Sequence, residues 1–171
     1  MKLMPWQTCA WMVMAAALAL PAAAAAENQV GGHFGFVVPI VTWADGDTTT
    51  VSDDFKIGFP MGISVKRSGS SMAFDLELVP VVDDTQPTDV SLTVHPGLVW
   101  DLGNHVAGGV RAAFDIDRAS WGFTPLIAYG FPQANGTTLF TELDLPVRFQ
   151  DDPRGNSKTA VTAAIHLGWA F

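Results

Sequence analysis

The chain has 171 residues, 49% of them hydrophobic and only 15% charged, with a formal net charge of −8. That length suits one domain, and the acidic balance leaves no basic stripe to neutralise the phosphates of a nucleic acid. Cys9 is the single cysteine, which excludes an internal disulfide.

The first predicted element is a leader. Lys2 gives a thin positive start, residues 10–20 an apolar core, and Ala24-Ala25-Ala26 a small-residue cleavage pattern before Glu27. Residues 1–26 are read as a cleaved signal peptide, because the apolar run is short for a membrane span. Residues 27–171 then form a single domain. No later run approaches eighteen apolar residues, so no transmembrane helix is predicted.

Eight alternating runs follow, separated by turn signals. Run one (30–43) places Phe34, Phe36, Val38 and Ile40 on one face. Run two sets Phe55, Ile57, Phe59, Met61, Ile63 and Val65 against Lys56, Gly58, Pro60, Gly62, Ser64 and Lys66. Run three (72–83) sets Met72, Phe74, Leu76 and Leu78 against Ala73, Asp75, Glu77 and Val79. Run four (90–102) opposes Leu92, Val94, Leu98 and Trp100 to Ser91, Thr93, His95 and Asp101. Run five (106–116) opposes Val110, Phe114 and Ile116 to Ala107, Gly109, Arg111 and Asp115. Run six (121–131) carries Trp121, Phe123, Ile127, Tyr129 and Phe131 against Gly122, Thr124, Ala128 and Gly130. Run seven (139–149) sets Leu139, Leu143, Leu145, Val147 and Phe149 against Glu142, Asp144 and Arg148. The last run alternates Val161, Ala163, Ile165, Leu167, Trp169 and Phe171 with Thr162, Ala164, His166, Gly168 and Ala170.

Period-two alternation puts each set on opposite faces of a strand. Ser68-Gly69, Gly103-Asn104 and Asn135-Gly136 supply turn chemistry, so consecutive strands form an antiparallel meander. Alternation alone leaves the inside face open, since a soluble sandwich would bury the Phe/Leu/Trp side. Three features favour the inverted arrangement. The second face is rich in Gly, Ala and Pro, the runs are about ten residues long, and large aromatics sit near run ends. Pro39, Pro60, Pro80, Pro96, Pro125 and Pro146 fall inside runs, and each is expected to mark a bulge or a lost ladder bond.

Leader, eight ten-residue runs and an aromatic last strand together resemble the small eight-stranded bacterial outer-membrane β-barrels of OmpA or OmpX type. The resemblance is one of pattern over residues 30–171 and rests on no local motif. It implies an all-β, eight-stranded antiparallel up-and-down transmembrane barrel in the cell outer membrane. Residues 44–53, 84–89, 117–120 and 150–157 become outer loops, and the three tight turns become periplasmic. Trp169 and Phe171 become the assembly signal read by the barrel assembly machinery. Outer-membrane lipid and lipopolysaccharide are the other expected partners, and the protein is expected to be a monomer without a cofactor.

The lumen face places Asp75, Glu77, His95, Arg111, Glu142, Asp144, Arg148 and His166 within the span. Eight strands leave an interior that side chains fill, so these charges are expected to pair as a plug around Arg111 and Arg148. Glu77, Glu142 and Asp144 are the acids expected at the depth of Arg111. A gated ion or proton path is the alternative use of the same residues. A second acidic set would ring the outer rim, and within it Asp83, Asp84, Asp151 and Asp152 are candidates for a cation bridging to lipid phosphates. Ser91 and His95 share a face but stand roughly 13 Å apart along a strand, beyond hydrogen-bond reach. The expectation is a structural or envelope-interaction protein rather than an enzyme. A narrow pore or small-solute transporter and a lipid-modifying enzyme are the alternatives.

Overall fold

The computed structural model describes residues 27–84, 87–117, 120–151 and 157–171. The predicted leader, Cys9 and Asp152 lie outside the described residues, as do parts of three predicted loops. Among the described residues every regular element is a strand, and no helix is present that could cross a membrane.

The strands are β1 (Asn28–Ala44), β2 (Asp47–Thr50), β3 (Lys56–Gly58), β4 (Met61–Arg67), β5 (Met72–Asp83) and β6 (Asp89–Gly103). They continue with β7 (Val106–Asp115), β8 (Ser120–Pro132), β9 (Thr138–Asp144), β10 (Val147–Asp151) and β11 (Ser157–Ala170). All pairings are antiparallel between neighbours, and β11 pairs back onto β1, so the sheet closes. β3 with β4, and β9 with β10, are single staves interrupted once each. The ring therefore has eight staves, matching the eight runs.

The closure has a definite stagger. Register partners lead from Phe34 through Met61, Leu78, Val94, Phe114, Trp121, Phe149 and Thr159. The path returns to β1 one residue beyond Ala44, the partner of Ala160. That is a shift from position 34 to position 45, and one residue of it is the extra residue of a bulge between Pro39 and Val41. A stagger of ten over eight staves corresponds to a tilt of about 40°, using strand spacings of about 4.8 Å and rises of about 3.3 Å.

The prolines are absorbed in two ways. Pro39 sits at the β1 bulge, and the extra residue resets the alternation there. Phe34 and Phe36 before it and Trp43 after it therefore all face outward, although their numbers differ in parity. Elsewhere the register runs through. Gly58 pairs Val81 and Met61 pairs Leu78, so Phe59-Pro60 passes opposite Pro80 without a shift. Leu145-Pro146 passes opposite Pro125 in the same manner. What is lost is donors: the proline carbonyls still accept, from Phe59, Gly35, Leu145 and Thr162, but no proline N–H answers them. Pro96 breaks the β6–β7 ladder between Val94↔Phe114 and Gly97↔Arg111.

One expected loop is partly strand. Residues 44–53 contain β2, folded back on β1 through Asp45 and Gly46, both at positive φ. Asp-Gly with two left-handed residues is the tight hairpin turn whose twist matches the strands.

The distribution of burial is inverted relative to a protein stabilised in water. Buried apolar residues are few (Val79, Ala113, Leu126 and Ala164), whereas buried polar ones include Asp75, Glu77, Arg111, Glu142 and His166. Phe34, Phe36, Ile63, Trp121, Ile127, Phe131, Leu143 and Leu167 are exposed on the outside. Aromatic contacts gather towards the two ends of the wall. Phe34 stacks on Trp169 and Tyr129 meets Phe131 near the turns, and Trp121 meets Phe149 near the loops.

Candidate functional site

Inward parity brings the charged residues of six staves to one level. Arg111 of β7 is the hub. Its Nε donates to Asp75 Oδ2 at 2.8 Å and its Nη1 to Glu142 Oε1 at 2.7 Å. Glu77 Oε2 and Asp144 Oδ1 stand further off, at 3.7 Å and 3.9 Å. Asp75 is thus a first partner beyond the three acids expected, while Glu77 and Asp144 complete the shell of four carboxylates. Ser64 donates to the remaining Asp75 oxygen at 2.6 Å.

From Glu77 the network spreads in both directions. His33 Nε2 lies 3.1 Å from Glu77 Oε2, and His95 Nδ1 lies 3.1 Å from Glu77 Oε1. Arg148 Nη2 is 3.0 Å from His95 Nε2. A guanidinium only donates, so His95 Nε2 carries the lone pair and its Nδ1 carries the proton given to Glu77. Arg148 also donates to Thr124 Oγ1 at 3.2 Å. It joins the plug through a histidine.

Two cavities flank the Arg111 level. One, of about 330 Å³, opens toward the turns and is bordered by His33, Asp75, His105, Arg111 and Phe140. The other, of about 230 Å³, lies toward the loops and is bordered by Glu77, His95, Asp144, Arg148 and His166. Pro39, Pro60 and Pro146 also line this second cavity. They act there as small apolar side chains.

All eight predicted lumen residues face this interior. His33, which has the same inward parity, and Phe140 join them. Phe140 turns inward from β9 and meets the edge of His166, with ring centroids 4.9 Å apart. Its position two residues from Glu142 was the available signal, since it shares that residue's parity. Glycines make the room: a Cβ on Gly62 would run into the His33 ring, and one on Gly97 would lie 2.6 Å from Arg111 Cγ.

Glu142, Asp144 and His166 form a compact subgroup, each offering one donor atom within 4.8 Å of the others. Among the described residues Asp83 and Asp84 belong to no such group. Asp83 instead binds Lys56 Nζ at 2.7 Å, and the side chain of Asp151 is not described. At the same rim Asp53 accepts from the Thr50 hydroxyl at 2.7 Å and the Thr50 amide at 2.9 Å. These two donors hold its carboxyl below the usual range.

No family model matches the chain, and no curated protein matches it. A solved structure with similarity to it is the solid-state NMR structure of outer membrane protein AlkL in DMPC lipid bilayers. The two share 14% identity over 88% of this chain and 93% of that one, with a TM-score of 0.45. A likeness of that size carries no weight for function.

Proposed function

We propose that the protein is an integral β-barrel of the bacterial outer membrane, exported by a cleaved leader (residues 1–26), with a structural or envelope-interaction role. The observation that carries this reading is the inversion of the two faces. The closed wall exposes Phe, Trp, Leu and Ile all round, far beyond the apolar patches a soluble monomer tolerates. The charges lie inside, where only an apolar surrounding makes sense of their arrangement. Among the described residues closure leaves no unpaired edge around the eight staves, which is the condition for a sheet to sit in lipid. Lipid and lipopolysaccharide are the partners that such a surface would meet.

The Arg111 network across the lumen supports a filled barrel over a pore. His95, engaged by both Glu77 and Arg148, supports a structural use of the histidines over a catalytic one. Semi-native gel migration and planar-bilayer conductance test the reading together. The expected result is a heat-modifiable band in the outer-membrane fraction and no steady current. A band unaffected by heating would overturn the membrane barrel, and a steady current would favour the narrow-pore alternative.

The β11 end supports an assembly role for Trp169 and Phe171. Phe171 exchanges two backbone hydrogen bonds with Gly32, at 2.9 Å each, across the closing seam. Phe171→Asp is expected to leave export intact and lower the amount inserted, read by fractionation. Normal insertion would remove that role.

A further inference from the structure

We infer that Glu142, Asp144 and His166 form a binding site for one divalent transition-metal ion inside the ring. Cross-strand pairing builds the site. Glu142 and Asp144 are two apart on β9 and share its inner face, and His166 on β11 is the register partner of Glu142. Their donor atoms lie within 4.8 Å of one another. Metal bonds of about 2.0–2.2 Å require ligand atoms about 3.3–3.6 Å apart in a tetrahedral set, so a contraction of about 1 Å would close the site.

An independent observation points to a ligand. Asp144, only 6% exposed, has a carboxylate oxygen, Oδ1, with no hydrogen-bond partner, and this oxygen faces the cluster at 3.9 Å from Arg111 Nη1. His166, 1% exposed, has an unpartnered Nε2, while its Nδ1 lies 3.4 Å from Glu142 Oε1. The Glu142 carboxylate only accepts, so Nδ1 carries the proton in this arrangement, and an ion would take the Nδ1 lone pair by moving that proton to Nε2.

The ligand set defines the kind of ion. Arg111 already holds Glu142 Oε1, which orients that carboxylate and weakens its hold on a cation, so Asp144 and the imidazole are needed. An imidazole among the ligands selects a transition metal over Ca²⁺ or Mg²⁺. Asp144 and His166 border the loop-side cavity, which gives the ion its way in.

The test uses the full chain purified in detergent, stripped with a chelator and titrated with Zn²⁺ by calorimetry. One equivalent per chain is expected. Asp144→Asn and His166→Gln should each weaken binding by more than about 100-fold, the upper range for loss of a supporting contact alone. His105→Ala, at a turn, should leave it unchanged. X-ray absorption on the zinc-loaded unaltered chain serves if the variants do not fold, with mixed oxygen and single-imidazole coordination expected. No uptake by the folded protein would show that the acids share a proton instead. Unaltered binding in both variants, or coordination without oxygen and imidazole together, would equally overturn the site.

Discussion

Glu142 and Leu143 are adjacent on β9 and live in opposite surroundings. Glu142 is buried and bonded to Arg111, while its cross-strand partners are His166 and Ala128. Leu143 is 41% exposed, and its partners Ile127 and Ile165 are exposed too. In a soluble sandwich their places would be exchanged, because water rewards the charge outside and the hydrocarbon inside. The contrast shows that alternation carries the two faces of a strand, while the solvent decides which is which.

The largest effect should come from the inner face. Arg111→Ala strands four carboxylates and is expected to destabilise the ring by about 3–5 kcal/mol, read by equilibrium unfolding in detergent or lipid. Double-mutant cycles should give the strongest coupling to Asp75 and Glu142 and weaker coupling to Glu77 and Asp144, in the order of their distances. Coupling near zero to all four would remove Arg111 as the hub.

On the outer face, Leu143→Arg should cost about 2–4 kcal/mol if the residue meets the bilayer midplane. A spin label at position 143 should be reached by lipid-soluble oxygen and shielded from a polar relaxing agent. The reverse accessibility would exchange the two faces and sink the membrane reading.

Gly97→Ala probes how tightly the interior is filled. The new methyl would lie 2.6 Å from both the Val110 carbonyl oxygen and Arg111 Cγ, and overpacking of this kind costs about 1–3 kcal/mol. An unchanged unfolding midpoint would mean that the lumen has slack at the level of Arg111.

The smallest effect belongs to the rim. Because Thr50 holds the Asp53 carboxyl below its ordinary range, the contact's contribution is present above the unfolded carboxylate pKa. It is lost as pH falls through the lower folded value. An NMR titration of the Thr50 amide should follow that low-pH step, and Asp53→Asn should abolish it with little change in overall stability. A step at the ordinary carboxylate pH would refute the contact.

Much of the fold was legible because a β-strand writes its two faces in the numbering. The eight runs became the eight staves, and parity alone carried Asp75, Glu77, His95, Arg111, Glu142, Asp144, Arg148 and His166 to the interior. Phe140 has the same parity, but an aromatic among acids looks like the other face. The β2 hairpin was also written, in Asp45-Gly46, but within a stretch read as loop.

Parity says nothing about height around a tilted ring, and there the sequence alone stops. The choice of Asp75 as a close partner of Arg111 follows from the stagger of ten residues, which is a property of closure. The Pro39 bulge likewise has meaning only against β11, where one extra residue lets Trp43 face outward with Phe34. Local chemistry determined which side of each strand a residue takes, because the backbone alternates whatever its neighbours are. The tertiary structure decided which residues meet, because register between distant strands is set by the pairing of the whole ring.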